Sequence, residues 1–221
     1  MFEQLASLFL PRDAFRIPRS RRPLPACNVR LLHESDCSAC EDIYRLNEAG
    51  RFPAGYFPRF RDWLRNQRAL IVVAEVAGEI RGLGGINAEE RAGQRFAALS
   101  FGMVHPGHHQ AGFGTTLLLA RLSLLASQGK RCTVILSTVG GSETFYGRFG
   151  FQYQQSIPDQ GGYGGDTYIA RLAGSDPQRC ALKLNRACLA SELGTTPIPS
   201  FAALSPAASP SSTSDDSHRQ V

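Results

Sequence analysis

The sequence predicts a mixed α/β domain (α+β) with a central, mostly antiparallel mixed sheet flanked by helices. Three observations carry that expectation. Residues 96–104 form a nearly uninterrupted apolar run that leads through a glycine turn into Leu117, Leu118, Leu119, Leu122 and Leu125, which recur at helical spacing. A second apolar run, residues 132–139, precedes Thr-Phe-Tyr-Gly-Arg-Phe-Gly-Phe at residues 144–151. Residues 69–76 and 80–86 are strand-like runs about Ala77-Gly78-Glu79, which reads as a hairpin.

In chain order, Phe2, Leu5, Leu8 and Phe9 sit at helical spacing before Pro11 ends the pattern. A basic, proline-broken stretch leads to a first strand at residues 28–33. Ser35 and Asp36 offer N-caps for a helix through Cys40, Ile43, Tyr44 and Leu46 that ends near Gly50. Residues 51–58 form an aromatic, proline-rich connector, and a second helix carries Phe60, Trp63 and Leu64 on one side. Residues 89–94 read as a turn before the central strand. Residues 151–156 and 167–172 read as a closing antiparallel pair around Gly161-Gly162-Tyr163-Gly164-Gly165-Asp166, whose glycine density predicts a mobile loop. Residues 178–190 add a short helix with Cys180, Leu184, Ala187 and Cys188 on one face. The last 27 residues hold 7 Ser and 4 Pro and cannot bury enough surface to order themselves, so 195–221 reads as a disordered tail.

A chain of 221 residues that is 43% hydrophobic can bury one substantial core. No apolar run is long enough to span a bilayer, and Glu3 and Gln4 interrupt the only N-terminal candidate for a cleaved signal. Six cysteines, at 27, 37, 40, 132, 180 and 188, are too dilute for a disulfide framework and read as free thiols of a cytoplasmic protein. The single Cys-x-x-Cys lacks the second pair that zinc requires, and His105, His108 and His109 are explained as loop histidines beside a phosphate site, so no metal is expected. Residues 1–30 carry six arginines against Glu3 and Asp13, a net +4 of the chain's +5. That charge belongs to an arm, which reads as a solvated extension wrapping the domain. Its arginines lack the aromatic interleaving and fixed patch that nucleic acid calls for.

The glycine turn has its own chemistry. Gly112 and Gly114 allow positive φ and close approach, and the amides that open the following helix have no partner inside it. A phosphate or pyrophosphate fits that end.

Val104, Pro106, His109, Gly112 and Gly114, followed by Phe145, Tyr146, Gly150 and Phe151, stand at the spacing of two signatures. They resemble those of the GCN5-related N-acetyltransferase superfamily, which binds acetyl coenzyme A on an acyl-CoA N-acyltransferase fold. His109 stands where the family carries Arg or Gln, and Val139 where many members carry Asn. The resemblance covers residues 27–174. It implies a layout of basic arm (1–26), acetyltransferase domain (27–174), helical extension (175–194) and tail (195–221). It also implies that His109, Gln110, Ala111, Gly112, Phe113, Gly114 and Thr115 anchor the pyrophosphate, while Met103, Val104 and His105 lie along pantetheine. Phe52, Tyr56 and Phe57 are implied acceptor contacts, and Tyr146 the proton donor to the leaving thiolate. No general base emerges: Glu75, Glu89 and Glu90 fall near hairpin ends, and Ser100 and Ser137 are either relay-water holders or strand serines satisfied by backbone. The implied function is acetyl-CoA-dependent N-acetyl transfer to a primary amine, of a small molecule or a protein, by direct attack in a ternary complex. The alternatives are a degenerate acyl-CoA-binding regulatory module and a nucleic-acid or partner-binding protein using the arm.

Overall fold

In the strand Leu70–Val76 (β2) every second side chain meets a different core, which is why the run is apolar throughout rather than alternating. Ile71 and Val73 pack with the helices Cys37–Glu48 (α1) and Phe57–Arg65 (α2), whereas Val72 and Ala74 pack with the helix Phe113–Leu124 (α3). The sheet is therefore a middle layer. The computed structural model describes residues 15–18, 23–49, 52, 55–66, 69–91, 94–125, 132–138, 142–157, 165–172, 179–180, 183 and 188–191. The remaining strands are Cys27–Leu31 (β1), Glu79–Arg91 (β3), Gln94–Val104 (β4), Cys132–Thr138 (β5), Gln152–Ile157 (β6), Gly165–Leu172 (β7) and Cys188–Ser191 (β8). A short helix, Glu143–Gly147 (α4), links β5 to β6.

Among the described residues, eight strands run in the order β6-β7-β5-β4-β3-β2-β1-β8. All neighbours are antiparallel except β4 with β5 and β1 with β8. The mixed sheet flanked by helices is the expected class. Three local expectations change. Residues 89–91 and 94 are not a turn: they continue the β3–β4 ladder, with Glu89 opposite Phe96 and Arg91 opposite Gln94, because backbone pairing needs no apolar side chain at the end of a hairpin. Cys188 lies in a strand, not on a helix face, since β1 would otherwise leave an edge of unpaired backbone groups that β8 now covers. Phe57 opens α2 instead of belonging to the connector, with Pro58 in the first turn, where its missing N–H costs nothing.

The arm is not wholly a solvated extension either. Phe15 is only 6% exposed in the α3-side core, and the Arg16 amide donates to Phe149 O at 3.1 Å. Lys183 Nζ donates to Pro18 O at 2.8 Å, so the C-terminal extension touches the same segment. Arg12, Arg19, Arg21 and Arg22, the glycines 161, 162 and 164, Val139 and the tail lie outside the described residues. Cys27, Cys37, Cys40 and Cys180 are buried, Cys37 and Cys40 as free thiols, and burial pushes the Cys40 thiol up to about 12. No helix among the described residues is long and apolar enough to cross a membrane.

Between β1 and α1, Arg30 joins two carboxylates. Its Nη1 donates to Asp36 Oδ2 at 2.6 Å and its Nε to Glu75 Oε2 at 2.8 Å, while the His33 amide also donates to Asp36 Oδ2. The Arg30 bond holds the Asp36 carboxyl below its ordinary value against the opposing effect of burial. A depressed carboxyl contributes stability that is present above its unfolded value, about 3.9, and is lost as pH falls through the folded value. Asp36→Asn is expected to cost about 3 kcal/mol near pH 7, because it strands Arg30 beside a single partner. Urea unfolding of both proteins at about pH 7 and about pH 3 should show the gap narrowing in acid. A gap that stays constant would mean the pair contributes no proton-linked stability.

Candidate active site

β4 is built to come apart from β5. Residues 97–99 of β4 pair with residues 134–136 of β5, yet β4 runs on to Val104 and β5 to Thr138. On its other side β4 keeps pairing with β3, but through a bulge. Leu83 faces Met103 and Gly85 faces Ser100, so Phe101 and Gly102 share the place opposite Gly84. Phe101 takes φ +45°, a conformation that costs a side-chain-bearing residue on the order of 1–2 kcal/mol. The bulge and the loss of β5 together open one edge of β4 over residues 100–104.

Directly after that edge the chain makes a 3₁₀ turn, Pro106–His108, capped by His105, whose Nδ1 accepts from the Gly107 amide at 3.1 Å. The His105 amide donates to Arg81 O at 2.9 Å and is thus committed to β3. Strand alternation sends the Val104 amide to the opposite, open side. Of the residues 103–105 expected along a pantetheine arm, Val104 is therefore the one whose backbone faces the split. Its carbonyl accepts from His109 Nε2 at 3.0 Å and from Asn47 Nδ2 at 3.1 Å. His109 braces the loop with its ring rather than extending it outward. His108 Nε2 lies 2.9 Å from Arg81 Nη1, and the His105 and His108 rings are 5.5 Å apart.

Gln110 at φ +63° and Gly112 at φ +96° turn the chain into α3. The Thr116 amide donates to Gly112 O at 3.0 Å, so the amides of Phe113, Gly114 and Thr115 open the helix ahead of its first internal bond. A methyl group at Gly112 would sit 2.9 Å from Pro25 Cδ; one at Gly114 would sit 3.9 Å from Phe145 Cζ and 4.0 Å from Val104 Cγ2. Gly114 thus lies where the two sequence motifs and the end of β4 meet. His109→Ala is expected to cost at most about 1 kcal/mol of stability, the net worth of one exposed hydrogen bond, with coenzyme affinity little changed. Calorimetry with acetyl-CoA checks this: a loss above tenfold would give the imidazole a direct ligand contact.

Tyr146, on α4, packs edge-on against Phe145 (5.0 Å) and Phe151 (5.7 Å) beside the α3-side core. Near it lies Arg121, a residue that sequence reasoning passed over. Arg121 is 2% exposed, and its Nε donates to Leu117 O at 3.2 Å. Burial pulls its pKa down from the usual arginine range, and Tyr146 opposes that shift. The one signal in the sequence was a lone charge inside Leu-Leu-Leu-Ala-Arg-Leu-Ser-Leu-Leu.

On the α1/α2 side an aromatic wall meets the bulge. Phe101 stands 4.6 Å from Trp63, 5.2 Å from Phe60 and 6.1 Å from both Phe52 and Tyr56, by ring centroids. Phe57 packs beyond them, tilted against Tyr44 at 5.5 Å, beneath the Arg45 guanidinium. The expected acceptor residues Phe52, Tyr56 and Phe57 are all half-buried in one cluster, and Phe101 is its hub. Burial raises the Tyr56 pKa. Ser100 is satisfied by a side chain, not by backbone: its Oγ and Trp63 Nε1 both donate to Asn87 Oδ1 at 3.1 Å. Glu75 is held by Arg30 and belongs to the structural pair described above.

A split sheet with a bulged strand along one side and a helix N-terminus at its mouth leaves a strand edge open beside the amides that begin α3. The chain belongs to the acetyltransferase (GNAT) family, whose sequence profile matches residues 37–151. Among solved structures, a GCN5-related N-acetyltransferase from Rhodopseudomonas palustris is similar, at TM-score 0.55 and 15% identity over 69% of this chain and 100% of its own. The yncA protein of Salmonella typhimurium, solved with its cofactor acetyl-CoA, matches at TM-score 0.52 and 17% identity over 66% of this chain and 93% of its own. A ribosomal-protein-alanine N-acetyltransferase from Brucella melitensis matches at TM-score 0.52 and 19% identity over 66% of this chain and 98% of its own. No curated protein sequence matches this chain.

Proposed function

We propose that the chain transfers an acetyl group from acetyl-CoA to a primary amine by direct attack in a ternary complex. The convergence of Gly114, Val104 and Phe145 at the open end of β4 carries this reading, because it sets a phosphate cradle, a strand edge and the Phe-Tyr pair around one space. In it the amides of Phe113, Gly114 and Thr115 hold the pyrophosphate. The residues 109–111 shape the turn around them. The Val104 backbone lies along the pantetheine arm, between Met103 and His105, and its amide polarises the thioester carbonyl.

The aromatic cluster of Phe52, Tyr56, Phe57 and Phe101 lines the acceptor side. Deprotonating a lysine-like amine near neutral pH costs about 4–5 kcal/mol, and a desolvating aromatic wall lowers that cost by disfavouring the ammonium form. The amine nitrogen attacks the carbonyl carbon, a C–N bond forms, and the C–S bond breaks with its electron pair on sulfur. Tyr146 then gives its hydroxyl proton to that sulfur. The nitrogen of the new amide releases a proton to solvent, and one returns to the tyrosine oxygen. The working unit spans residues 27–174 with Phe15 as an added anchor.

Release of free coenzyme A over a panel of primary amines tests the proposal, with arylalkyl amines expected to outrun polyamines of similar size. Tight acetyl-CoA binding with no turnover for any amine would favour the regulatory acyl-CoA-binding reading. No binding at all would remove both.

A further inference from the structure

The aromatic wall carries one polar cluster, and its hydrogen-bond directions are fixed by the groups that make it. Trp63 Nε1 and Ser100 Oγ both lie 3.1 Å from Asn87 Oδ1. An indole N–H can only donate, so the atom it meets is the amide oxygen, and the Ser100 hydroxyl directs its proton to the same atom. The Asn87 amide nitrogen therefore faces away from both with two N–H donors, and no partner for it occurs among the described residues. Gly85 makes room for this arrangement. It shares a face of β3 with Asn87, and a β-carbon there would collide with the Trp63 ring and sit 3.3 Å from Ser100 Oγ.

The Trp63 ring also packs on Phe101 at 4.6 Å, which joins the cluster to the bulge. Ser100 precedes Val104 by four residues, one of them absorbed by the bulge. At about 3.4 Å per residue the cluster thus stands roughly 10 Å along β4 from the open end. On the outer side of the wall the Arg59 guanidinium lies over Tyr56 at 5.2 Å and that of Arg45 over Phe57 at 4.7 Å. Neither pairs with a carboxylate among the described residues. Unused donors and unpaired cations suit an oxygen on the incoming molecule and disfavour a second ammonium group.

We propose that Asn87 sets acceptor specificity: its amide nitrogen donates to a carbonyl or carboxylate oxygen of the amine substrate, while Trp63 and Ser100 hold the amide in that orientation. The oxygen stands roughly six to eight bonds from the amine nitrogen, the number that covers the distance at about 1.2 Å per bond. This deepens the proposed amine acetylation and rests on it.

Release of coenzyme A with 6-aminohexanamide, 6-aminohexanoate and hexylamine tests the inference, since the three amines differ little in basicity and only the first two carry the oxygen. The native protein should use the better oxygen compound with a kcat/KM about five- to tenfold above that of hexylamine, the contribution of one hydrogen bond. Which of the two leads tells an amide carbonyl from a carboxylate. Asn87→Asp keeps an oxygen for Trp63 and Ser100 and replaces the outward donor by an acceptor of nearly the same shape. It should bring both oxygen compounds level with hexylamine or below it, and raise the rate on 1,6-diaminohexane relative to hexylamine. An Asn87→Asp variant that keeps the native preference would overturn the inference. Equal use of the three amines by the native protein would overturn it as well, and that outcome needs no variant. So would inactivity on all three beside turnover of other amines in the panel. Turnover of no amine at all would count against the proposed function instead.

Discussion

Tyr146→Phe is expected to lower kcat by about 100-fold or more while acetyl-CoA affinity stays within about twofold, because a general acid acts in the transition state and hardly at all in the ground state. The hydroxyl is the only group removed, and the ring keeps its edge contacts with Phe145 and Phe151. With a reference pKa near 10 for a phenol against about 8.5 for a thiol, the tyrosine is protonated at neutral pH and can supply a departing thiolate. The measurement is steady-state turnover with an accepted amine, paired with a single-turnover experiment to show that chemistry limits. A rate equal to the native one would hand the proton to solvent and reduce Tyr146 to a packing residue of the core beside α3.

Gly114→Asp is expected to weaken acetyl-CoA binding by tenfold or more, since a carboxylate at the opening of α3 repels phosphate where the helix end otherwise attracts it. The structure makes this a cleaner probe than the same change at Gly112. At Gly112 the φ of +96° and the nearby Pro25 Cδ would strain any side chain, so lost binding there could follow from a damaged turn. Around Gly114 a β-carbon meets only ordinary contacts with Phe145 and Val104. Gly114→Ala is accordingly expected to bind nearly as well as the native protein, and the Ala/Asp pair isolates charge from bulk. Calorimetric titration with acetyl-CoA on folded variants decides it. Equal affinity for the Asp variant would take this loop out of the coenzyme site.

Periodicity and turn chemistry determined most of the elements from residue 27 onward. Apolar runs located β2, β4 and β5, and Ala77-Gly78-Glu79 located the hairpin, since φ near +53° and +82° at Ala77 and Gly78 is what such a turn demands. The spacing of Val104, Pro106, Gly112 and Gly114, with Phe145 and Tyr146 after it, marked the family and the helix that begins beside the end of β4, because glycine and helix-opening signals act within a few residues. What the tertiary structure alone decided were pairings between residues far apart in the chain. β4 parts from β5 after Leu99, just before a bulge at Phe101 in its pairing with β3, and nothing in a phenylalanine foretells a positive φ. β8 became a strand because β1 offered an open edge, and Phe15 became core because α3 and the closing strands left it a place. Arg121 reads in sequence as an interruption of an apolar helix. Only the meeting of Gly84 and Gly102 around it, brought together from two adjacent strands, makes room for that buried charge.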